Sequence, residues 1–243
     1  MKKILLTLFF VAVIMTLFVN NSMALIFTDG FEGSSIDPFW DPAGQGTNHD
    51  GGVTLSNLQA HSGSQALDLF SIGFGGFGHS NVTLIHQFDQ VMEGDYSVWF
   101  FDPGHAGFYG HIHVQDPVNG YSSAIGVQDW DPTFYHAGAS GTPSNNEGQT
   151  TLQRSPGWHE FKSTVDTNGT NQYIDNLLVY SDTFENGFTN IFFNINTNSP
   201  QHIFFDDFNV NANPKVPEPS SMLLLGMGLV GLARRAGRLM PKV

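Results

Sequence analysis

Between residues 25 and 214 the apolar positions come in short runs, most alternating with polar ones and separated by Gly, Asn, Asp, Ser or Pro. No stretch longer than ten residues keeps the 3.6-residue period of an amphipathic helix. A period of two, punctuated by turn residues, predicts an all-β body. The expected strands are Leu25–Thr28, Val53–Leu55, Ala66–Phe70, Val82–Phe88, Tyr96–Phe101, Gly110–Gln115, Ser122–Gln128, Thr133–Tyr135, Gly157–Asp166, Gln172–Tyr180, Asn190–Ile195 and Gln201–Val210. About a dozen strands of this length suit two packed antiparallel sheets better than a small closed barrel. Turns are expected at Asp50-Gly51-Gly52, Glu93-Gly94-Asp95, Asn119-Gly120, Asn168-Gly169 and Asp175-Asn176. Gly73 to Gly78 reads as a glycine-aromatic loop, and Ala137 to Thr151, the least apolar stretch, as a long surface loop.

Both ends of the chain depart from this pattern. Met1-Lys2-Lys3 precedes an apolar run from Ile4 to Val19, broken only by Thr7 and Thr16, and Ser22-Met23-Ala24 puts small residues where a signal peptidase reads. Cleavage is expected between Ala24 and Leu25. At the other end Val216-Pro217-Glu218-Pro219 is followed by an apolar run from Met222 to Ala233 and by Arg234, Arg235 and Arg238. Such a run reaches about 18 Å as a helix, short of the ~30 Å hydrocarbon core. Gly226, Gly228 and Gly231 weaken that helix further. The arginines would act as a basic stop on the cytoplasmic side. This three-part tail resembles the PEP-CTERM sorting segment, which exosortase processes in Gram-negative bacteria that make extracellular polysaccharide. The resemblance implies export, transient membrane association through the tail, and retention at the cell surface or in the matrix. The expected organisation is a signal peptide over 1–24, a β-sandwich domain over 25–213 and a sorting segment over 214–243.

Removing the ends changes the charge. Only Arg154 and Lys162 remain in the body, against 21 of the 22 acids, for a net charge of −19. A surface of that sign repels nucleic acid and anionic lipid. The chain has no cysteine, so no disulfide staples the fold. Its core material is aromatic, with 22 Phe, six Tyr and four Trp in the chain.

Two groups of residues carry a further likeness. Asp29-Gly30-Phe31-Glu32-Gly33 is followed by Trp40 and by Ser62-Gly63-Ser64-Gln65-Ala66-Leu67; Gly157-Trp158-His159-Glu160-Phe161 pairs with Tyr173-Ile174-Asp175-Asn176-Leu177-Leu178-Val179-Tyr180 and closes on Phe204-Phe205-Asp206-Asp207-Phe208. Together they resemble the jelly-roll sandwiches of the concanavalin-like and carbohydrate-binding-module superfamilies. The resemblance implies a calcium ion tying the first strand to the last, held by Glu32 and by Asp206 or Asp207 with Asp29 in addition. Calcium takes six to eight oxygens at about 2.3–2.6 Å. Neighbouring Asp206 and Asp207 are expected on opposite faces of their strand. The resemblance also implies a glycan ligand.

Tryptophan faces match those of pyranose rings. Trp130 lies between acids in a loop-like stretch bracketed by Tyr109, Tyr121 and Tyr135, and these four are the candidate sugar contacts; Trp99 and Trp158 read as core. His111 and His113 share one face of a strand, and with His105 and Asp102 or Asp116 they could form a zinc set. A hydrogen-bonded histidine face is the plainer alternative.

No catalytic pattern appears. Laminarinase-type sandwiches carry alternating acids on one strand, whereas Glu32, Glu93, Glu147, Glu160 and Glu185 are isolated. A lyase would need Arg154 or Lys162 to neutralise a uronate. The expectation is a non-catalytic, exported glycan-binding protein. A diverged glycoside hydrolase or polysaccharide lyase on the same scaffold and a purely structural biofilm component are the alternatives.

Overall fold

The computed structural model describes residues 24–41, 51–72, 80–105, 109–116, 121–128, 130–141, 144–145, 148–183, 187–197, 199–215 and 228. Residues 1–23 of the expected signal peptide and nearly all of the sorting segment, including Val216 to Pro219 and Arg234, Arg235 and Arg238, lie outside them. Among the described residues no helix is long and apolar enough to cross a membrane.

Fourteen strands form the body: β1 (Leu25–Asp29), β2 (Gly51–Ser56), β3 (Ala66–Ile72), β4 (Ser80–Asp102), β5 (Gly110–Asp116), β6 (Tyr121–Val127), β7 (Phe134–Gly141), β8 (Ser144–Asn145), β9 (Gly148–Gln153), β10 (Gly157–Asp166), β11 (Gly169–Ile174), β12 (Leu177–Asp182), β13 (Phe188–Thr197) and β14 (Pro200–Pro214). All pairings between them are antiparallel. The first sheet runs β2-β3-β14-β4-β10-β11-β12, with β1 also on β14; the second runs β4-β13-β5-β6-β7-β8, with β9 also on β7. β4 belongs to both. Its first half pairs with β13 and its second half with β10 and β14. The register shift between Phe188 and Asn190 marks the passage, where β4 turns the corner of the sandwich.

The sheets close on one another through aromatic rings. Phe193 of β13 lies 4.7 Å from Phe205 and 5.7 Å from Phe208 of β14, and Tyr135 of β7 lies 5.8 Å from Phe161 of β10. Alternation along each strand supplies this interior: Tyr96, Val98 and Phe100 on β4, Ile112 and Val114 on β5, and Ile191, Phe193 and Ile195 on β13 are all buried. A polar tie also crosses the core. The buried Gln172 of β11 accepts a hydrogen bond from Gly138 N (2.8 Å) and donates to Ser123 Oγ (2.7 Å) and the Ala124 carbonyl (3.1 Å) of the opposite sheet. The architecture is an antiparallel jelly-roll sandwich.

Three expectations are corrected. Glu93-Gly94-Asp95 is no turn but the middle of β4, where a Cβ on Gly94 would stand 2.2 Å from the Asn211 carbonyl oxygen, at a φ of +148°. The stretch expected as one long loop contains the end of β7 with β8 and β9. Trp99 and Trp158 are not core: they sit on the outward face of the first sheet, where His61 stacks on Trp99 at 3.7 Å and meets Trp158 edge-on at 5.7 Å.

Candidate functional site

The outward face of the second sheet follows from its register. Thr83, Asn194, His111, Gly126 and His136 stand side by side across β4, β13, β5, β6 and β7. Ile85, Phe192, His113, Ala124 and Gly138 form the next row, and Gln87, Asn190, Gln115 and Ser122 the one after. Their neighbours along each strand fill the core, so these residues point away from it. No carboxylate occupies any of these positions.

The rings on this face touch in sequence. His113 lies parallel on Phe192 (4.7 Å, 5°) and 5.2 Å from His111, which also packs against Tyr109 at 4.5 Å. His111 is 2 % exposed and leans over Gly126, where a Cβ would fall 2.1 Å from the imidazole Cδ2. Burial, with His113 and His136 nearby, holds the His111 ring well below the usual histidine range, and burial pushes His113 down to about 4. Both rings are therefore neutral at neutral pH. Beyond Gly126 the buried His136 meets Asp131 Oδ2 through Nε2 at 2.9 Å. Trp130 stands edge-on to His136 at 4.7 Å and is 68 % exposed.

Asp131 is a carboxylate in contact with this row. Burial works to raise its pKa, but His136, the backbone N–H groups of Thr133 and Phe134 and the Gln149 amide outweigh it and hold Asp131 at about 2.

The sequence-derived sugar contacts separate. Trp130 and Tyr109 lie along the ring row. Tyr135 faces the core at 1 % exposure, its hydroxyl donating to the Ser155 carbonyl, and is corrected to a core residue. The side chain of Tyr121 lies outside the described residues. Asp102 is unavailable to a zinc set, because the Arg154 guanidinium binds both of its oxygens at 2.8 and 2.9 Å. The same contact withdraws Arg154 from lyase chemistry. His105 offers its carbonyl to Arg154, and the side chain of Asp116 is outside the described residues.

The carboxylates expected around calcium gather instead on one loop. Glu32 accepts from Ser64 N, Ser64 Oγ and Gln65 N at 2.7–2.9 Å. Asp206 accepts from His61 N, Ser62 N and Asp207 N, while Asp207 meets Ser62 Oγ and His61 Nδ1, each at 2.7 Å. Asp29 is engaged by Phe31 N and by Trp40 Nε1. A bulge with Asp207 at a φ of +46° turns Asp206 and Asp207 to the same loop rather than to opposite faces. The oxygens of Glu32, Asp206 and Asp207 face separate N–H and O–H donors, most of them along residues 61–65, Asp29 faces donors elsewhere, and among the described residues no three His, Asp or Glu side chains could hold an ion. As placed, the set does not fit a calcium cage.

One constellation was missed from sequence. Asp175 Oδ2 lies 2.7 Å from His159 Nδ1, and His159 Nε2 lies 3.3 Å from Ser155 Oγ. The order is that of a hydrolase triad, yet Nε2 is closer to the Ser155 carbonyl oxygen, at 2.8 Å, which only an N–H can satisfy. Asp175 also accepts from Glu160 N and donates its own N–H to the Glu160 carbonyl, closing the β11–β12 hairpin end onto β10. The arrangement is a structural tie. The Trp158-His159 and Asp175-Asn176 signature was its trace in the sequence.

Residues 215–238 match the PEP-CTERM protein-sorting motif, the mark of an exported protein processed at the cell envelope. No curated protein matches the chain by sequence. Among solved structures the fold is similar to a Bacillus licheniformis β-glucanase (14 % identity, TM-score 0.56, 76 % of this chain and 97 % of that one). It is also similar to LamAcat from Zobellia galactanivorans (13 %, 0.56, 79 % and 98 %) and to the laminarinase catalytic domain of Thermotoga maritima (11 %, 0.52, 82 % and 100 %). At such identities the likeness establishes the fold: the chain carries a β-glucanase-like jelly-roll body followed by a PEP-CTERM sorting motif.

Proposed function

We propose that the exported body binds a neutral glycan along the outward face of the second sheet and does not cleave it, and that exosortase processing of the tail places it in the exopolysaccharide of a Gram-negative surface. One observation carries this reading. The three rows of the face offer amide, hydroxyl, imidazole and aromatic groups, bordered by the exposed Trp130, and none of their residues is a carboxylate. Glycosidases need two carboxyl groups, about 5–9.5 Å apart, with one of them protonated. Asp131, held ionised, cannot supply that proton. A body charge of −19 disfavours anionic polymers, and with Arg154 bound to Asp102 only Lys162 is left to offset a uronate. The likeness in fold to a β-glucanase and to laminarinases makes β-linked glucans the first class to try.

Affinity electrophoresis against laminarin and mixed-linkage β-glucan, with alginate as an anionic control, tests it. Retardation by a neutral polymer that weakens in Trp130→Ala, without release of reducing ends, is expected. Reducing ends from the wild-type body would establish the hydrolase alternative, and no retardation by any polymer would favour a purely structural role.

A further inference from the structure

Three buried ring nitrogens on the site face lack a hydrogen-bond partner: Nδ1 and Nε2 of His111 and Nε2 of His113. The Val127 backbone nears His111 outside good hydrogen-bond geometry. Buried polar atoms in native proteins are almost always paired, so three orphans on two touching rings ask for a partner of their own. We propose that His111 and His113 form an open site for a divalent cation of the copper–zinc group.

Alternation along β5 puts the two imidazoles on one side of the strand. A tetrahedral ion held at about 2.1 Å by one nitrogen of each ring sets the ring centres about 5 Å apart; here they are 5.2 Å apart, inclined at 49°. Neither ring needs to be recruited. Phe192 holds His113 by parallel stacking, and His111 occupies the space that Gly126 leaves by having no side chain.

Imidazole nitrogen favours copper, zinc and nickel, while calcium and magnesium select oxygen. An imidazole that carries its proton on one nitrogen keeps a lone pair on the other to donate to an ion. The negative charge of the body concentrates cations at its surface. No third His, Asp or Glu among the described residues completes the set, so the remaining positions belong to water or to oxygens of a bound molecule. Asn190, whose buried Oδ1 is also unpartnered, lies on the same face.

The test uses the exported protein purified without a histidine tag and stripped of metal. Zinc and copper are titrated at pH 7.5 by calorimetry, with calcium in parallel. One saturable zinc or copper site per chain is expected, with a rise in Tm and, for copper, nitrogen superhyperfine splitting from two imidazoles. His113→Gln and His111→Gln should each abolish the saturable site, and with it the two-nitrogen copper spectrum. Should His111→Gln fail to fold by circular dichroism, His113→Gln alone decides. Absence of saturable binding by folded wild type, or equal binding by folded His113→Gln, overturns the site. Trp130→Ala should bind the metal normally, which separates this outcome from that of the glycan assay.

Discussion

Asp102 and Arg154 form a two-pronged ion pair in the interior, their side chains 0 % and 1 % exposed. Asp102 ends β4 and Arg154 follows β9, and the guanidinium also donates to the Asp131 and His105 carbonyls. The pair therefore ties the segment after β9 to the loop after β4 and to the stretch that leads into β7. Removing one partner leaves a buried charge unmatched, which typically costs about 3–5 kcal/mol. Arg154→Met should lower the urea midpoint accordingly. The double variant Arg154→Met with Asp102→Leu should recover much of that loss, because no lone charge remains. A double variant that loses as much as Arg154→Met and Asp102→Leu together would show that the pair carries no coupling.

Asp131 gives the stability a defined acid limit. Its folded pKa of about 2 lies below the unfolded value of about 3.9. A depressed carboxyl contributes stability that is fully present above the unfolded pKa and is lost as pH falls through the folded one. The contribution is on the order of 2 kcal/mol. Asp68 and Asp206, raised chiefly by burial, act in the opposite sense as they take up protons. The comparison that isolates Asp131 is thus between wild type and Asp131→Asn. The variant should be less stable at pH 6, and the gap should close between pH 4 and 2. A gap constant with pH would remove the electrostatic account.

Local signals were legible and long-range ones were not. Strand content and the tight turns at Asn168-Gly169 and Asp175-Asn176 follow from alternation and from residues that accept positive φ, as Asp175, Asn176 and Gly169 do. Gly94 carries the same local signal but lies within β4, because its open α-carbon admits the backbone of β14, far away in the chain. Nothing near Trp99 in sequence announces that His61 covers it from outside. The shared face of His111 and His113 could be read from their spacing. The lean of His111 over Gly126 and the Asp131–His136 contact depend on strand neighbours that alternation alone does not fix.

Gly126 is the most sensitive position of the site face. An added Cβ would fall 2.1 Å from both the Gly110 carbonyl oxygen and His111 Cδ2. The backbone contact cannot yield without shifting β5 against β6. Gly126→Ala should cost about 1–3 kcal/mol, seen as a drop of several degrees in Tm, and should displace the His111 ring from its present seat. Unchanged Tm and unchanged histidine ring resonances in NMR spectra would refute the close packing.

The loop at 61–65 joins the opening of the chain to its last strand through hydrogen bonds to Glu32, Asp206 and Asp207. Asp206, fully buried, takes three backbone N–H groups, from His61, Ser62 and Asp207. Asp206→Ala strands these donors, at about 1–3 kcal/mol for each one left without a partner. The loop then loosens, and His61 lifts from the Trp99 face, which it covers at 3.7 Å. The expected result is a lower Tm with tryptophan emission shifted to the red. Because the carboxylates are satisfied by N–H and O–H donors, millimolar calcium added to metal-stripped wild type should leave Tm where it was. A calcium-dependent rise that Asp206→Ala or Glu32→Gln removes would mean that an ion, and not these donors, ties the first strand to the last.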